Sequence, residues 1–195
     1  MAKLTRGLIQ IYTGNGKGKT TASLGQAVRS LGHNLKVLFV QFVKGNSFTG
    51  EFLFAQKVEG LTFWQFGRDC MYSSGVRENI ISCSECSECF IGKEGPNERD
   101  FKIVKKGWER VKEEIRKGAY DLLVLDEISL AVKFNLISKE DLIDFLKNKP
   151  EELEIILTGR DMPEDICHLA DLVTEMKEIK HPYQKGISAR WGIDY

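Results

Sequence analysis

The stretch Gly7 to Thr21, GLIQIYTGNGKGKTT, decides how the rest of the chain is read. Its apolar residues Leu8, Ile9, Ile11 and Tyr12 predict a strand over about residues 8–13. Gly14, Gly16 and Gly18 follow, then Lys19-Thr20-Thr21 and a segment with apolar residues at Ala22, Leu24, Ala27, Val28 and Leu31. That spacing is helical, and Gly32 is a natural stop. Strand, glycine loop and helix in this order make a phosphate cradle. The glycines let backbone N–H groups converge, the helix N-terminus adds partial positive charge, Lys19 adds a full one, and the Thr20 hydroxyl can ligate magnesium. The general phosphate-loop pattern is a glycine, four residues, then Gly-Lys-Ser/Thr. Here Gly18-Lys19-Thr20 is intact, but Thr13 holds the first position, so the loop counted from Gly14 is one residue short. A chance glycine turn is the competing reading; the flanking strand and helix favour the cradle. Gly14, Asn15, Gly16, Lys17, Gly18, Lys19, Thr20 and Thr21 are therefore the candidate phosphate-binding loop.

Lys36–Phe42 (KVLFVQF) is almost wholly apolar, as a strand buried on both faces should be. The loop Val43-Lys44-Gly45-Asn46 leaves its C-terminal end, where ligands gather in open α/β sheets. Gln41 and Lys44 are candidate site residues on that ground. Leu61–Phe66 predicts a third strand. From Gly67 to Pro96 there is no clear period, and the stretch holds Cys70, Cys83, Cys86 and Cys89, four of the five cysteines. Long irregular stretches in compact domains tend to be functional or mobile. A helix is predicted over about 97–117, with Phe101, Val104, Trp108, Val111 and Ile115 on one apolar face. Trp108 is expected in the core.

Tyr120–Glu127 (YDLLVLDE) predicts a buried strand ending in Asp126-Glu127. Carboxylates at that point could hold magnesium near Thr20, and spacing does not choose between them. Ser138 resembles a helix N-cap, with Leu142, Ile143 and Leu146 turned inward. Leu153–Leu157 predicts a strand followed by Thr158-Gly159-Arg160, whose arginine can meet phosphate oxygens bidentately. Pro163 could open a short helix through Ala170, and Leu172–Thr174 is expected to be a last core strand. Strands alternate with helices throughout, which predicts one domain with a mostly parallel α/β sheet covered on both faces. The three histidines, His33, His168 and His181, show no metal or catalytic spacing and are expected on the surface or in packing roles.

The chain has 195 residues, enough for one ordinary domain. Lys+Arg and Asp+Glu are equal at 28 each, so there is no basic field to argue for nucleic acid. No apolar run approaches the roughly 20 residues of a membrane span, and the N-terminus lacks a signal-peptide core. A cytoplasmic protein with reduced cysteines is expected.

The motifs together resemble the ATP:corrinoid adenosyltransferases of the phosphate-loop type. The matching pieces are Tyr12–Thr21, Val40–Gly45, Val124–Glu127, Thr158–Arg160, Leu169–Asp171 and Gly192–Tyr195, in the family's order and over nearly the whole chain. The short glycine loop is typical of that family. The resemblance implies a P-loop NTPase-like, RecA-like fold and transfer of the 5′-deoxyadenosyl group of ATP to cobalt(I) of a reduced corrinoid, with release of triphosphate. It implies catalysis by Lys19, Arg160 and a lid phenylalanine, which aligns with Phe90. A second lid aromatic of some members falls on Gly92 here. It further implies Mg2+ (or Mn2+) held by Thr20 with Asp126 or Glu127, an electron donor such as a reduced flavoprotein, and a homodimer. Asn15 would lie at the ribose end of ATP.

The Cys-rich irregular insertion, about 67–96, is longer than the family usually needs. Cys70 with the Cys83-x2-Cys86-x2-Cys89 run could hold zinc or an iron–sulfur cluster; an exposed insertion with reduced thiols is the equal alternative. An ordinary phosphate-loop kinase or ATPase acting on an unidentified acceptor is the competing functional reading, and a metal-sensing regulatory module comes third.

Overall fold

The computed structural model describes residues 4–45, 48–83, 88–92 and 94–194. They form one six-stranded, all-parallel sheet. In chain order the strands are β1 (Ile9–Thr13), β2 (Val37–Phe42), β3 (Leu61–Phe66), β4 (Leu122–Asp126), β5 (Glu154–Thr158) and β6 (Leu172–Glu175). The helices are α1 (Lys19–Gly32), α2 (Gly50–Ala55), α3 (Ser73–Arg77), α4 (Glu98–Arg116), α5 (Ile128–Lys133), α6 (Lys139–Lys147) and α7 (Glu164–Cys167), with a 3-10 turn at Pro182–Lys185. Strand order across the sheet is β3-β2-β4-β5-β1-β6. The expected α/β, P-loop NTPase-like architecture is present.

The central strands are apolar because both their faces are covered. In β2 the alternation of side chains sends Val37 and Phe39 to one face, against Ala27 of α1. Leu38, Val40 and Phe42 go to the other, against Val104, Trp108 and Val111 of α4. Trp108 is buried, as expected, and its indole N–H donates to Asp141 at 2.7 Å. Helix α4 starts where the sequence predicts, with a reciprocal cap: the Asn97 side chain accepts from the Asp100 N–H, and Asp100 accepts from the Asn97 N–H. Ser138 caps α6 by accepting from the Asp141 N–H.

One expected core element differs. β6 is a strand, but it pairs only with β1 and forms the sheet's edge, so all four of its residues are exposed. Its apolar pair Leu172 and Val173 reads like a core strand because local composition does not say which strand ends the sheet. The helices α2, α3 and α5 have no strong sequence period; at six residues or fewer they are too short to show one.

Because every strand is parallel, the residues that follow β1, β2, β4 and β5 all emerge on one edge. β5 stands between β1 and β4, so the glycine loop and the acidic pair face each other across one strand.

Candidate nucleotide and corrinoid site

The glycine loop is shaped by what it rests on. The Gly16 N–H donates to the Met176 carbonyl at 2.7 Å, and Met176, just past β6, donates its own N–H to Thr13 at 2.8 Å. A Cβ at Gly14 would sit 2.5 Å from the Met176 oxygen, and one at Gly16 would sit 2.7 Å from it. Neither position tolerates a side chain while the loop stays seated. Gly18 precedes α1 in a left-handed conformation and supplies no side-chain cap. The first N–H groups of α1 are thus left for an anion at the loop. Lys19 curls over the loop and donates to the carbonyls of Gly14 at 2.7 Å and Gly16 at 2.8 Å. Burial holds its ammonium below its usual range; Glu127 and Asp126 oppose that shift, and Arg160 and Lys44 add to it.

A polar lattice lies across the cleft at the ends of β2, β4 and β5. Asp126 is fully buried and accepts from the Thr158 hydroxyl at 2.6 Å and the Thr20 hydroxyl at 2.9 Å. The Gln41 amide donates to its other oxygen at 3.1 Å and to Glu51 at 3.2 Å, and accepts from Gln65 at 2.9 Å. Glu127 has a left-handed backbone, φ 56°, and its N–H donates to the Thr158 hydroxyl at 3.0 Å. The turn separates the two acids: Asp126 lies beneath the cleft and Glu127 lines it. The Lys44 ammonium sits 3.4 Å from Asp126 and 3.6 Å from Glu127. Burial pulls its pKa down, but Asp126, Glu127 and Glu51 outweigh that and raise it.

The cleft has a volume of about 350 Å³. Its walls carry Asn15–Thr21, Lys44, Glu51, Glu127 and Arg160, so the loop, the acidic turn and the arginine expected from the sequence are brought together. Gly14 supports the loop from behind, and Gln41 lies under the carboxylates instead of in the cleft. Glu51, Thr158, Glu178, His181 and Asp194 were not singled out from the sequence. Glu178, His181 and Asp194 arrive from the C-terminal segment, which folds over the cleft, and Lys17 pairs with Asp194. No local pattern announces such a return; Thr158 and Asp194 had a signal only as members of the Thr158–Arg160 and Gly192–Tyr195 motif pieces.

The residues present suit a divalent cation. A hydroxyl, Thr20, and a carboxylate, Glu127, share the cleft, Asp126 orients the hydroxyl from below, and a cationic ammonium already lies between the two acids. The cysteine run is different. Cys86 lies outside the described residues, and Cys70, Cys83 and Cys89 belong to no metal-holding group of three or more His, Cys, Asp or Glu side chains among the described residues. Phe90 lies within the insertion and is half exposed, and its carbonyl accepts from Arg68 at 3.1 Å. Among the described residues, no helix is long and apolar enough to cross a membrane.

Fold and loop define a P-loop NTPase-like α/β protein. The sequence model of the family described as "ATP:corrinoid adenosyltransferase BtuR/CobO/CobP" matches residues 5–195. A "Corrinoid adenosyltransferase" from Sinorhizobium sp is 36% identical over 191 residues, 97% of this chain and 81% of that protein. The Escherichia coli K12 "Corrinoid adenosyltransferase" is 33% identical over 97% of this chain and 86% of its own length. The "Corrinoid adenosyltransferase CobA" of Salmonella typhimurium is 33% identical over 100% of this chain and 88% of its own. The chain belongs to this family of transferases.

Proposed function

We propose that the protein transfers the 5′-deoxyadenosyl group of ATP to cobalt(I) of a reduced corrinoid and releases inorganic triphosphate. The observation that carries the reading is the match to the family over residues 5–195, with the family's short glycine loop seated on Met176 and sharing its cleft with Arg160 and Glu127. The cobalt(I) electron pair attacks C5′ of the ribose, the C5′–O bond breaks, and the triphosphate leaves with that bond's electrons. The nucleophile belongs to the substrate, so the protein needs no Ser, Cys or His nucleophile.

The protein's share is to stabilise charge where it develops. Loop N–H groups and Lys19 cradle the triphosphate, and Arg160 and Lys44, which line the same cleft, add positive charge to it. Thr20 and Glu127 would hold Mg2+, with Asp126 orienting Thr20; the ion supplies further charge neutralisation on the leaving group. Asn15 stands at the ribose end. Phe90, half exposed and apolar, covers one face of the corrinoid, excludes water and favours the four-coordinate cobalt(II) that accepts an electron. The reading includes a homodimer, an electron donor such as a reduced flavoprotein, and a cytoplasmic place in adenosylcobalamin synthesis or salvage. It assigns no step to the four cysteines of the insertion.

The test is product analysis without oxygen, using Mg-ATP and a chemically reduced corrinoid. Equal amounts of triphosphate and light-sensitive adenosylcorrinoid are expected. ADP or free phosphate with unchanged corrinoid would overturn the reading in favour of a kinase or ATPase.

A further inference from the structure

We infer that Arg68 is the positioning residue for Phe90: its guanidinium ties the backbone that carries this ring to the first turn of α4, while the backbone on either side of Arg68 is fastened to the loop that carries Lys44 into the cleft. The inference deepens the proposed function and rests on its placement of Phe90 over the corrinoid.

Phe90 lies within the irregular stretch between α3 and α4, so no strand ladder or helix holds it. The residue is 51% exposed, while Cys89 beside it is buried. A half-exposed aromatic that must press on one face of a large planar substrate has to be fixed through its backbone. Arg68 does this with all three of its nitrogens engaged. Nε donates to one oxygen of Asp100 at 2.9 Å and Nη2 to the other at 2.7 Å, a two-pronged fit that sets the plane of the guanidinium. Nη1 then donates to the Phe90 carbonyl at 3.1 Å.

The partner of the fork is itself buried and anchored. Asp100 is 2% exposed and also accepts from the Asn97 N–H at 2.8 Å, as part of the cap that starts the 19-residue helix α4. The hydrogen bonds from Arg68 hold the Asp100 carboxyl below the usual carboxylate range and raise the Arg68 pKa, so the pair is charged over the whole working range.

The residues flanking Arg68 are sewn to the cleft. The Val43 N–H donates to the Phe66 carbonyl at 2.9 Å, and Gly45 bridges Asp69 in parallel. Gly67 lies so close to the backbone of Val43 and Lys44 that a Cβ there would collide with both. A rigid path therefore runs from Lys44 through Gly67 and Arg68 to Phe90. It keeps the lid in register with the nucleotide, so that the corrinoid face meets C5′ at the distance the attack needs.

The experiment compares Phe90→Ala, Arg68→Met and Arg68→Lys with the unaltered protein. ATP affinity, the four-coordinate cobalt(II) spectrum of the corrinoid-loaded, ATP-bound protein, and steady-state kinetics are read together. Arg68→Met should keep ATP affinity and KM for ATP within about twofold while the four-coordinate fraction and kcat fall by roughly tenfold, the scale set by loss of positioning. Arg68→Lys should recover only part of the signal, since one ammonium cannot serve both Asp100 and the Phe90 carbonyl. If Arg68→Met does not fold, Arg68→Met/Asp100→Asn removes the unpaired buried charge, keeps the cap oxygen, and is read in its place. A full four-coordinate signal in the Arg68 variant, with loss in Phe90→Ala, overturns this inference and leaves the lid reading standing. A full signal in Phe90→Ala overturns the lid reading and this inference with it.

Discussion

Replacing Lys44 with methionine should tighten divalent-cation binding to the ATP-free protein. The Lys44 ammonium lies 3.4 Å from Asp126 and 3.6 Å from Glu127, with only 25% of its side chain exposed. At such separations and an effective dielectric near 20, each attraction is about 5 kcal/mol gross. Desolvation of the three charges returns most of that, which leaves about 1–2 kcal/mol net for a partly buried cluster of this kind. A cation entering beside Thr20 and Glu127 must displace the ammonium or share the carboxylates with it. Methionine keeps the length of the stem and removes the charge, so the competition disappears. The expected gain is roughly tenfold in Mn2+ affinity. The assay is titration of ATP-free protein with Mn2+, following the free ion by electron paramagnetic resonance, with Glu127→Gln as the variant expected to weaken binding. ATP affinity of Lys44→Met should move the other way, because a cation is lost from the wall facing the phosphates. Unchanged or weaker Mn2+ binding in Lys44→Met would refute the competition argument.

Three further outcomes follow from named contacts. Thr158→Val removes the hydroxyl that donates to Asp126 and accepts from the Glu127 N–H, two bonds in a buried setting. Chemical denaturation should show a loss of about 2–3 kcal/mol, and cation affinity should fall as Glu127 loses its anchor. Gly16→Ala places a methyl group 2.7 Å from the Met176 carbonyl, so the loop must lift; ATP binding measured calorimetrically should be lost while the circular dichroism spectrum is kept. Asp100 has a folded-state pKa held below its unfolded value by Arg68. Its contribution to stability is fully present above about pH 4 and is lost as pH falls through the depressed folded value. Denaturation midpoints should therefore fall more steeply below pH 4 in the unaltered protein than in Asp100→Asn, and run parallel to it above pH 5.

Much of the fold is legible because its signals are local. The strand–glycine–helix unit over residues 9–32 appears where the sequence puts it, from Ile9 to Gly32. The cap at Asn97 and the apolar face of α4 also need only neighbouring residues. β6 reads as core in the sequence for the opposite reason: its place at the sheet's edge depends on a strand order that no window of four residues contains. His181, expected to be idle, reaches the cleft wall only because the C-terminal segment returns over the loop.

By itself, the sequence determined the alternation of strands and helices, the phosphate cradle and the family, since each rests on the order and type of adjacent residues. The tertiary structure decided which acid faces the cleft. Asp126 continues the strand and points into the lattice beneath, where it meets Thr20, while the left-handed turn at Glu127 brings the next carboxylate to the cleft and to Lys44. It also decided that Arg68, 22 residues from Phe90 and 32 from Asp100, joins the two. Chain spacing cannot show such meetings, because parallel strands bring together residues whose separation is set by the crossovers between them.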